Sequence, residues 1–302
     1  MKNYSEIVAA LDAADCKYKT DARFDALTTF RIGGAIPLLI LPDSAETLKK
    51  ALSVLKTYDM NYFVLGHGSN LLAPDDGVAY PVVSLTEGEF SSVRVEGETI
   101  TAGAGALLVS VCNAALAAEL SGLETVYGIP GSVGGGVYMN AGAYGGELAD
   151  TLETVYSMTA DGEIIARGVE ALNLSYRHSL FMENGEIVLQ AVFRLQKSSK
   201  EAVKAAMEDY ISRRRDKQPL QYPSAGSVFR RPAGHFAGAL IEQAGLKGCT
   251  VGGAQVSEKH AGFIVNIGGA TAEDVSALIR HIQQTVFAAS GVRLEPEILC
   301  LR

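Results

Sequence analysis

The sequence lacks the positive charge of a general nucleic-acid binder. It carries 26 Lys and Arg against 34 Asp and Glu, a net charge of −8 over 302 residues. It has no apolar run of membrane type. The longest uncharged stretch, residues 100–118, is broken by Thr101, Ser110, Asn113 and two glycines, so it reads as buried structure rather than a span. The opening residues place Glu6, Asp12 and Asp15 where a secretory leader needs an apolar core, so a cytoplasmic protein is expected. The four cysteines, Cys16, Cys112, Cys249 and Cys300, show no CxxC spacing and read as reduced thiols. The five histidines show no paired ligand spacing, and no metal is expected. G-x-x-x-x-G-K-[ST] is absent, which excludes a Walker loop. Gly103 and Gly105 begin a G-x-G, but Leu108 stands where the third glycine belongs.

What is present is a chain that is 48% apolar, enough for a large core, and long enough for about two domains. Ile7, Val8 and Leu11 suggest a short first helix, and residues 36–41 and 62–65 read as strands. Between them Ser44 caps an expected helix to Thr57, with Leu48, Leu52 and Leu55 on one face. Strands are expected at 78–85, 93–96 and 99–102, a helix at 107–120, then strands at 153–158, 164–167 and 187–195. A helix from Ser198 follows a change of texture near residue 197. In the last helix, Thr271 and Asp274 have capping-box spacing, Val275, Leu278, Ile279, Ile282 and Val286 form a stripe, and Gly291 follows its end. A final strand over 293–301 carries Glu295 and Glu297. Strands and helices mix without regular alternation, so the class is α+β.

Nine of the 32 glycines lie between Gly122 and Gly146. Two glycine loops, Gly66–Leu71 and Gly128–Gly136, have the character of phosphate cradles. Glycine lets backbone N–H groups approach an anion, and Ser69, Asn70 and Ser132 add donors. A helix opening over 131–137 would add its dipole. A tight turn explains either loop alone equally well. From Tyr210 to Arg231 there are six basic residues (Arg213, Arg214, Arg215, Lys217, Arg230, Arg231) against Asp216 alone, a local +5 suited to an anionic substrate or to a solvated helix end. Between the basic groups, Pro223 and Gly226 set a turn that presents Ser227.

Taken in order, these segments resemble a known family. Thr28-Thr29-Phe30-Arg31-Ile32-Gly33-Gly34, Gly66-His67-Gly68-Ser69-Asn70-Leu71-Leu72, Gly128-Ile129-Pro130-Gly131-Ser132-Val133-Gly134-Gly135 and Asn140-Ala141-Gly142-Ala143-Tyr144-Gly145 are similar to the UDP-N-acetylenolpyruvoylglucosamine reductases. So are Ser175-Tyr176-Arg177-His178-Ser179, Tyr222–Phe229, Lys259–Asn266 and Leu294-Glu295-Pro296-Glu297. Each motif is weak alone; eight in order across residues 28–297 are specific.

The resemblance implies a two-subdomain FAD-binding region of the vanillyl-alcohol-oxidase (PCMH) type. That region would be residues 1–197, with a subdivision near 85 and the C-terminal strand returning to it. An α+β substrate-binding domain over 198–302 would follow. The implied reaction is NADPH-dependent, FAD-mediated reduction of the enolpyruvyl ether of UDP-N-acetylglucosamine to UDP-N-acetylmuramate for peptidoglycan. The shortness of the chain fits the family's second type.

By the same resemblance Ser227 is the proton donor, Arg177 meets the substrate carboxylate and Glu297 assists. Non-covalent FAD would be held by Arg31, Gly66, Gly68, Ser69, Asn70, Leu71, Gly103, Gly128, Ile129, Pro130, Gly131, Ser132, Gly134, Gly135, Asn140, Gly142, Ala143, Val188 and Arg214. Substrate would be held by Tyr144, Tyr176, Arg177 and Arg214. Thr28, His67 and Ala225 depart from the usual family residues, none at a proposed catalytic atom. A monomer acting on small molecules is expected. Alternation puts Glu295 and Glu297 on the same strand face, so geometry read from sequence does not choose between them. Fold alone would also admit another FAD-dependent dehydrogenase or a non-catalytic nucleotide-binding protein.

Overall fold

The computed structural model describes residues 4–301. The chain opens with α1 (Tyr4–Ala13), β1 (Lys17–Lys19), the one-turn α2 (Phe24–Leu27) and β2 (Leu39–Leu41). Helix α3 (Ala45–Thr57) starts as the spacing predicts: the Ser44 hydroxyl accepts from the Thr47 N–H, and the Thr47 hydroxyl accepts from the Ser44 N–H. The short strands β3 (Phe63–Leu65), β4 (Leu71–Leu72) and β5 (Val82–Ser84) follow. Next come β6 (Val93–Glu96), β7 (Thr99–Gly103), α4 (Leu108–Ala117), β8 (Leu120–Ser121) and α5 (Val133–Tyr138). A small ribbon of β9 (Gly142–Ala143) and β10 (Gly146–Glu147) leads to β11 (Leu152–Met158), β12 (Ile164–Gly168), α6 (Phe181–Asn184), β13 (Ile187–Arg194), β14 (Gln196–Lys197) and α7 (Lys200–Lys217). The remainder is β15 (Ser224–Ser227), α8 (Ala237–Gln243), β16 (Thr250–Val251), β17 (Ala254–Val256), β18 (Phe263–Asn266), α9 (Ala272–Ser290) and β19 (Leu299–Cys300).

Two compact units result. The first holds Met1–Thr20, Pro37–His67 and Tyr80–Ser212. It contains a four-stranded sheet, β1-β2-β5-β3, whose β2, β5 and β3 are parallel because α3 carries the chain across from β2 to β3. Its larger sheet, β12-β11-β13-β7-β6, is antiparallel throughout. Ile40, Leu48, Leu55, Ile100, Val111, Val155, Ala191 and Phe193 belong to one buried cluster of this unit.

The second unit holds Asp21–Ile36, Gly68–Ala79 and Arg213–Arg302. Its antiparallel sheet runs β15-β18-β17-β16. The α9 stripe of Val275, Leu278, Ile279, Ile282 and Val286 is buried in a second core with Ile264, Val256 and Phe30. This grouping differs from a single cut near 197. Two N-terminal segments are tied to the C-terminal sheet and helix by hydrogen bonds such as Thr29 Oγ1 to Ser224 O (2.7 Å) and Ala272 N to Asp75 Oδ1 (2.8 Å).

The expected last strand over 293–301 is a correction. Only Leu299–Cys300 is strand, paired in parallel with Leu71–Leu72, and Pro296 makes a single bridge to Phe229. Proline has no N–H to continue a ladder.

Candidate active site

In the second unit, four of the sequence motifs interlock. The Thr29 N–H donates to Gly68 O (3.2 Å), the Ser224 N–H to Thr29 O (3.1 Å) and Asn266 Nδ2 to Phe30 O (3.2 Å). These bonds hold the 28–34 loop, where Arg31 keeps a left-handed backbone at φ 55°. Gly68 is also left-handed (φ 63°), and a Cβ there would lie 2.4 Å from Leu27 O. A side chain is excluded there, so the loop keeps a glycine backbone of the kind that can approach an anionic group closely.

Ser227 does not sit in a simple turn, as expected, but ends β15. Ser224 pairs with Val265 and Ser227 with Phe263, so three steps on one strand oppose two on the other. The extra residue is absorbed at Gly226, at φ 77°, where a Cβ would have nothing within 4 Å. Such a bulge re-aims the next side chain, and Ser227 is exposed. The C-terminal segment runs beside it: the Glu297 N–H donates to Val228 O (2.7 Å) and the Arg230 N–H to Glu295 O (2.9 Å). Asn70 Nδ2 donates to Glu297 O (3.3 Å), and the Leu299 N–H to Asn70 O (3.0 Å). Ser227, Glu297 and Asn70 therefore share one corner. Glu295 is exposed while Glu297 is half-buried, a distinction that alternation alone did not make.

Arg214, at the end of α7, is buried, and its Nη1 donates to Gln218 Oε1 (3.4 Å). Lys259 Nζ donates to Arg215 O, capping the same helix end. His260 lies in the Lys259–Asn266 motif but carries no expected role there. Its Nδ1 accepts from the Gly262 N–H (3.1 Å), and burial above all holds its pKa below the ordinary histidine value.

In the first unit, two tight turns meet. Ser175 and His178 exchange backbone hydrogen bonds across Tyr176-Arg177, and Arg177 takes φ 55°. Its Nη2 donates to Gly142 O (3.3 Å), and its guanidinium lies 5.2 Å from the Tyr176 ring centroid. The second turn is Tyr144-Gly145, joining β9 to β10. Asn140, fully buried at φ 41°, links the two motifs: its Oδ1 accepts from the Ala149 N–H (3.1 Å) and its Nδ2 donates to Ser175 O (3.2 Å). Among the described residues, eight besides glycine take a positive φ, and four of them are expected site residues: Arg31, Asn140, Tyr144 and Arg177. Strained backbone concentrates where function over-determines it.

The glycine-dense loop needs a correction. The helix expected to open over 131–137 is only six residues, Val133–Tyr138, and its first N–H groups are spent inside the protein. Val133 N donates to Ala106 O (2.8 Å) and Gly134 N to Ala104 O (2.7 Å). Glycine serves close approach there: a Cβ on Gly134 would stand 3.0 Å from Ala104 Cβ, and one on Gly136 would stand 2.9 Å from Leu148. Of the three helix glycines only Gly135 is exposed. Ser132 is buried as the helix N-cap, and a Cβ on Gly66 would meet its hydroxyl at 2.8 Å. Gly128 is left-handed at φ 90°, and the Gly131 N–H closes back on Ile129 O (2.8 Å) across Pro130. Gly103 lies against Phe90 backbone, and Val188 is buried in β13, so both have packing reasons of their own. Among the described residues no group of three or more His, Cys, Asp or Glu is placed to hold a metal ion, and no helix is long and apolar enough to cross a membrane.

Residues 36–167 match the FAD binding domain family, and residues 218–301 match the C-terminal domain of UDP-N-acetylenolpyruvoylglucosamine reductase. The UDP-N-acetylenolpyruvoylglucosamine reductase of Latilactobacillus sakei is 47% identical over 295 residues, 97% of each chain. That of Agathobacter rectalis is 49% identical over 282 residues, 90% of each. The crystal structure of the reductase from Thermus caldophilus superposes with a TM-score of 0.83 at 37% identity, covering 95% of this chain and 99% of that one.

Proposed function

Because this chain belongs to the UDP-N-acetylenolpyruvoylglucosamine reductase family, we propose that it reduces UDP-N-acetylglucosamine-enolpyruvate to UDP-N-acetylmuramate, a peptidoglycan precursor. It is a flavin-dependent oxidoreductase with FAD as cofactor. The observation that carries the reading is the corner where bulged Ser227, Glu297 and Asn70 meet, on a scaffold matched over nearly its whole length. The left-handed Gly68, where no side chain fits, suits close approach of the backbone to an anionic part of the cofactor. When bound, FAD would supply the hydride, with NADPH as the source of reducing equivalents.

The residues then have separable tasks. Addition to the terminal alkene carbon leaves negative charge on the carboxyl group in the enolate form. Arg177 holds that charge; the guanidinium is already oriented by Gly142 O and the Tyr176 ring. Glu297 orients the same group or shares its proton. Ser227 gives its proton to the adjacent carbon. A serine hydroxyl is a weak acid, but the carbanionic intermediate is a strong base, so holding the hydroxyl in place suffices. Arg31, the Gly66–Leu71 and Gly128–Gly135 loops, residues 140–143 and Arg214 hold FAD. Tyr144 and Tyr176 hold substrate. Asn140, fully buried, supports these loops by tying the 140–145 motif to the 175–179 motif through its amide. FAD binding falls mainly to the region around the 36–167 match and substrate binding mainly to the region around the 218–301 match. The protein works as a cytoplasmic monomer.

The test is NADPH oxidation followed at its near-ultraviolet absorbance, with and without UDP-N-acetylglucosamine-enolpyruvate. Oxidation dependent on that substrate, with UDP-N-acetylmuramate as product, supports the reading. Oxidation indifferent to it contradicts the reading.

A further inference from the structure

We infer that Tyr210, on helix α7, is a positioning residue for substrate: it holds the ring of Tyr144 in the orientation in which Tyr144 meets the UDP-sugar. The inference rests on the functional reading above and adds a residue to it.

Tyr144 and Gly145 are the two central residues of the turn between β9 and β10, with φ 57° and 90°. A two-residue hairpin with both central residues at positive φ favours Asn-Gly or Gly-Gly. A tyrosine in the first position is strained, because a bulky L-residue is unfavourable there. Such a conformation persists only where its surroundings hold it. The base of the ribbon is held: a Cβ on Gly146 would stand 2.7 Å from the Thr125 hydroxyl, the Leu148 N–H donates to Ala141 O (3.0 Å), and Arg177 Nη2 reaches Gly142 O. The tip is held differently. The far side of Gly145 is open, with nothing within 4 Å of a Cβ position. The Tyr144 ring instead packs on Tyr210, with centroids 5.2 Å apart and planes tilted by 30°.

Tyr210 is well placed to fix an orientation. One turn before it on α7, Met207 is 3% exposed, and Val203 a further turn back is 2% exposed, both in the core of the same unit. The helix is thus anchored where it presents the ring. Tyr144 remains 38% exposed beside Tyr210, so part of its side chain is open to solvent. The ribbon that carries it also receives the side chain of Arg177, so the orientation of Tyr144 and the seat of the substrate carboxylate are linked through a short stretch of chain. A flat or sugar-like part of the UDP-sugar is the group this surface fits.

The experiment compares Tyr210→Leu with Tyr210→Phe in the full-length holoenzyme. An aromatic pair contributes enough that its loss weakens binding about three- to tenfold. The expected result is a KM for UDP-N-acetylglucosamine-enolpyruvate raised by that factor in Tyr210→Leu, with kcat changed less than twofold. Tyr210→Phe should restore most of the wild-type KM, and the anaerobic rate of flavin reduction by NADPH should be unchanged in both. A wild-type KM in Tyr210→Leu overturns the inference, as does a loss shared equally by the NADPH half-reaction and the melting temperature, which marks a merely structural ring. Failure of the functional reading looks different, because then the wild-type protein itself does not turn over the UDP-enolpyruvyl sugar.

Discussion

Arg177 keeps a full side chain at φ 55°, a conformation that favours Gly or Asn at this place in a turn. The strain, about 1 kcal/mol, is offset in part by contacts that include the hydrogen bond to Gly142 O and the Tyr176 ring. Arg177→Asn should therefore leave urea stability within about 1 kcal/mol of wild type. The same change should slow flavin reoxidation by substrate about 10²-fold or more, through lost stabilisation of the developing negative charge. A stability loss far beyond that figure with normal reoxidation would give Arg177 a structural role instead. Ser227 makes the complementary case. Ser227→Ala should leave flavin reduction by NADPH intact and slow reoxidation by about 10²–10⁴-fold, read by stopped flow. Normal reoxidation in that variant would remove Ser227 as the donor.

At the scale of elements, the β11-β12-β13 part of the large sheet is clamped by a polar group. Arg167 makes a two-pronged contact with Glu186 (Nη1 to Oε2 2.5 Å, Nη2 to Oε1 2.6 Å), and the Ser157 hydroxyl donates to the same Oε2 (2.6 Å). Arg167 and Glu186 side chains are 17% and 9% exposed, so removing one charge strands the other. Glu186→Leu should cost about 3 kcal/mol in urea unfolding, with much of it recovered by adding Arg167→Met. Helix α9 shows a different control. Its N-terminus is capped by Thr271 and Asp274, and Asp75 accepts from the Ala272 and Glu273 N–H groups. Hydrogen bonds from the Thr271 and Gly253 N–H groups hold Asp274 below the usual carboxylate pKa. A lowered folded-state pKa gives stability that is present above the unfolded value and lost as pH falls through the folded one. The melting-temperature deficit of Asp274→Asn should accordingly be full at pH 7 and shrink in acid below about pH 4.

These two helix starts, Ser44 and Thr271, were legible in sequence because a capping box is local chemistry. The longer strands of the first unit were legible to within a few residues, but the short strands β15 to β18 of the second unit were not, because two to four residues paired across a sheet leave little periodicity to read. Pro296 interrupts the expected last strand, leaving Leu299–Cys300. The bulge at Gly226 was not legible, since it exists only in the mismatch between Ser224–Ser227 and Phe263–Val265. The Tyr144–Tyr210 contact was equally invisible, because the two rings lie far apart in the chain and no local pattern joins them.

For the whole molecule, order in the motifs told more than any one of them. Each glycine loop alone was compatible with a tight turn, and the structure explains Gly134 and Gly136 by packing. What the motifs share is their meeting within each unit: the 28–34, 68–72, 222–229 and 259–266 segments are bonded in one, and 140–145 with 175–179 in the other. Such long-range contacts have no local signature. The cysteines offer a check on global integrity. Burial, then the neighbouring carboxylates, pushes Cys16 up to about 11, and burial pushes Cys112 up to about 12, while Cys300 is exposed. At pH 8 a thiol reagent should modify Cys300 first and reach Cys16 and Cys112 only on unfolding. Rapid native labelling of Cys112 would contradict the core described here.

The central claim is a flavin reductase that passes reducing equivalents from NADPH to an enolpyruvyl UDP-sugar. It is tested most directly by the visible spectrum of the purified protein under anaerobic conditions. The account predicts an oxidised flavin band that bleaches on adding NADPH and returns on adding UDP-N-acetylglucosamine-enolpyruvate. A band that bleaches and stays bleached after that addition would contradict the assigned substrate, and a colourless protein that FAD does not reconstitute would contradict the flavin chemistry itself.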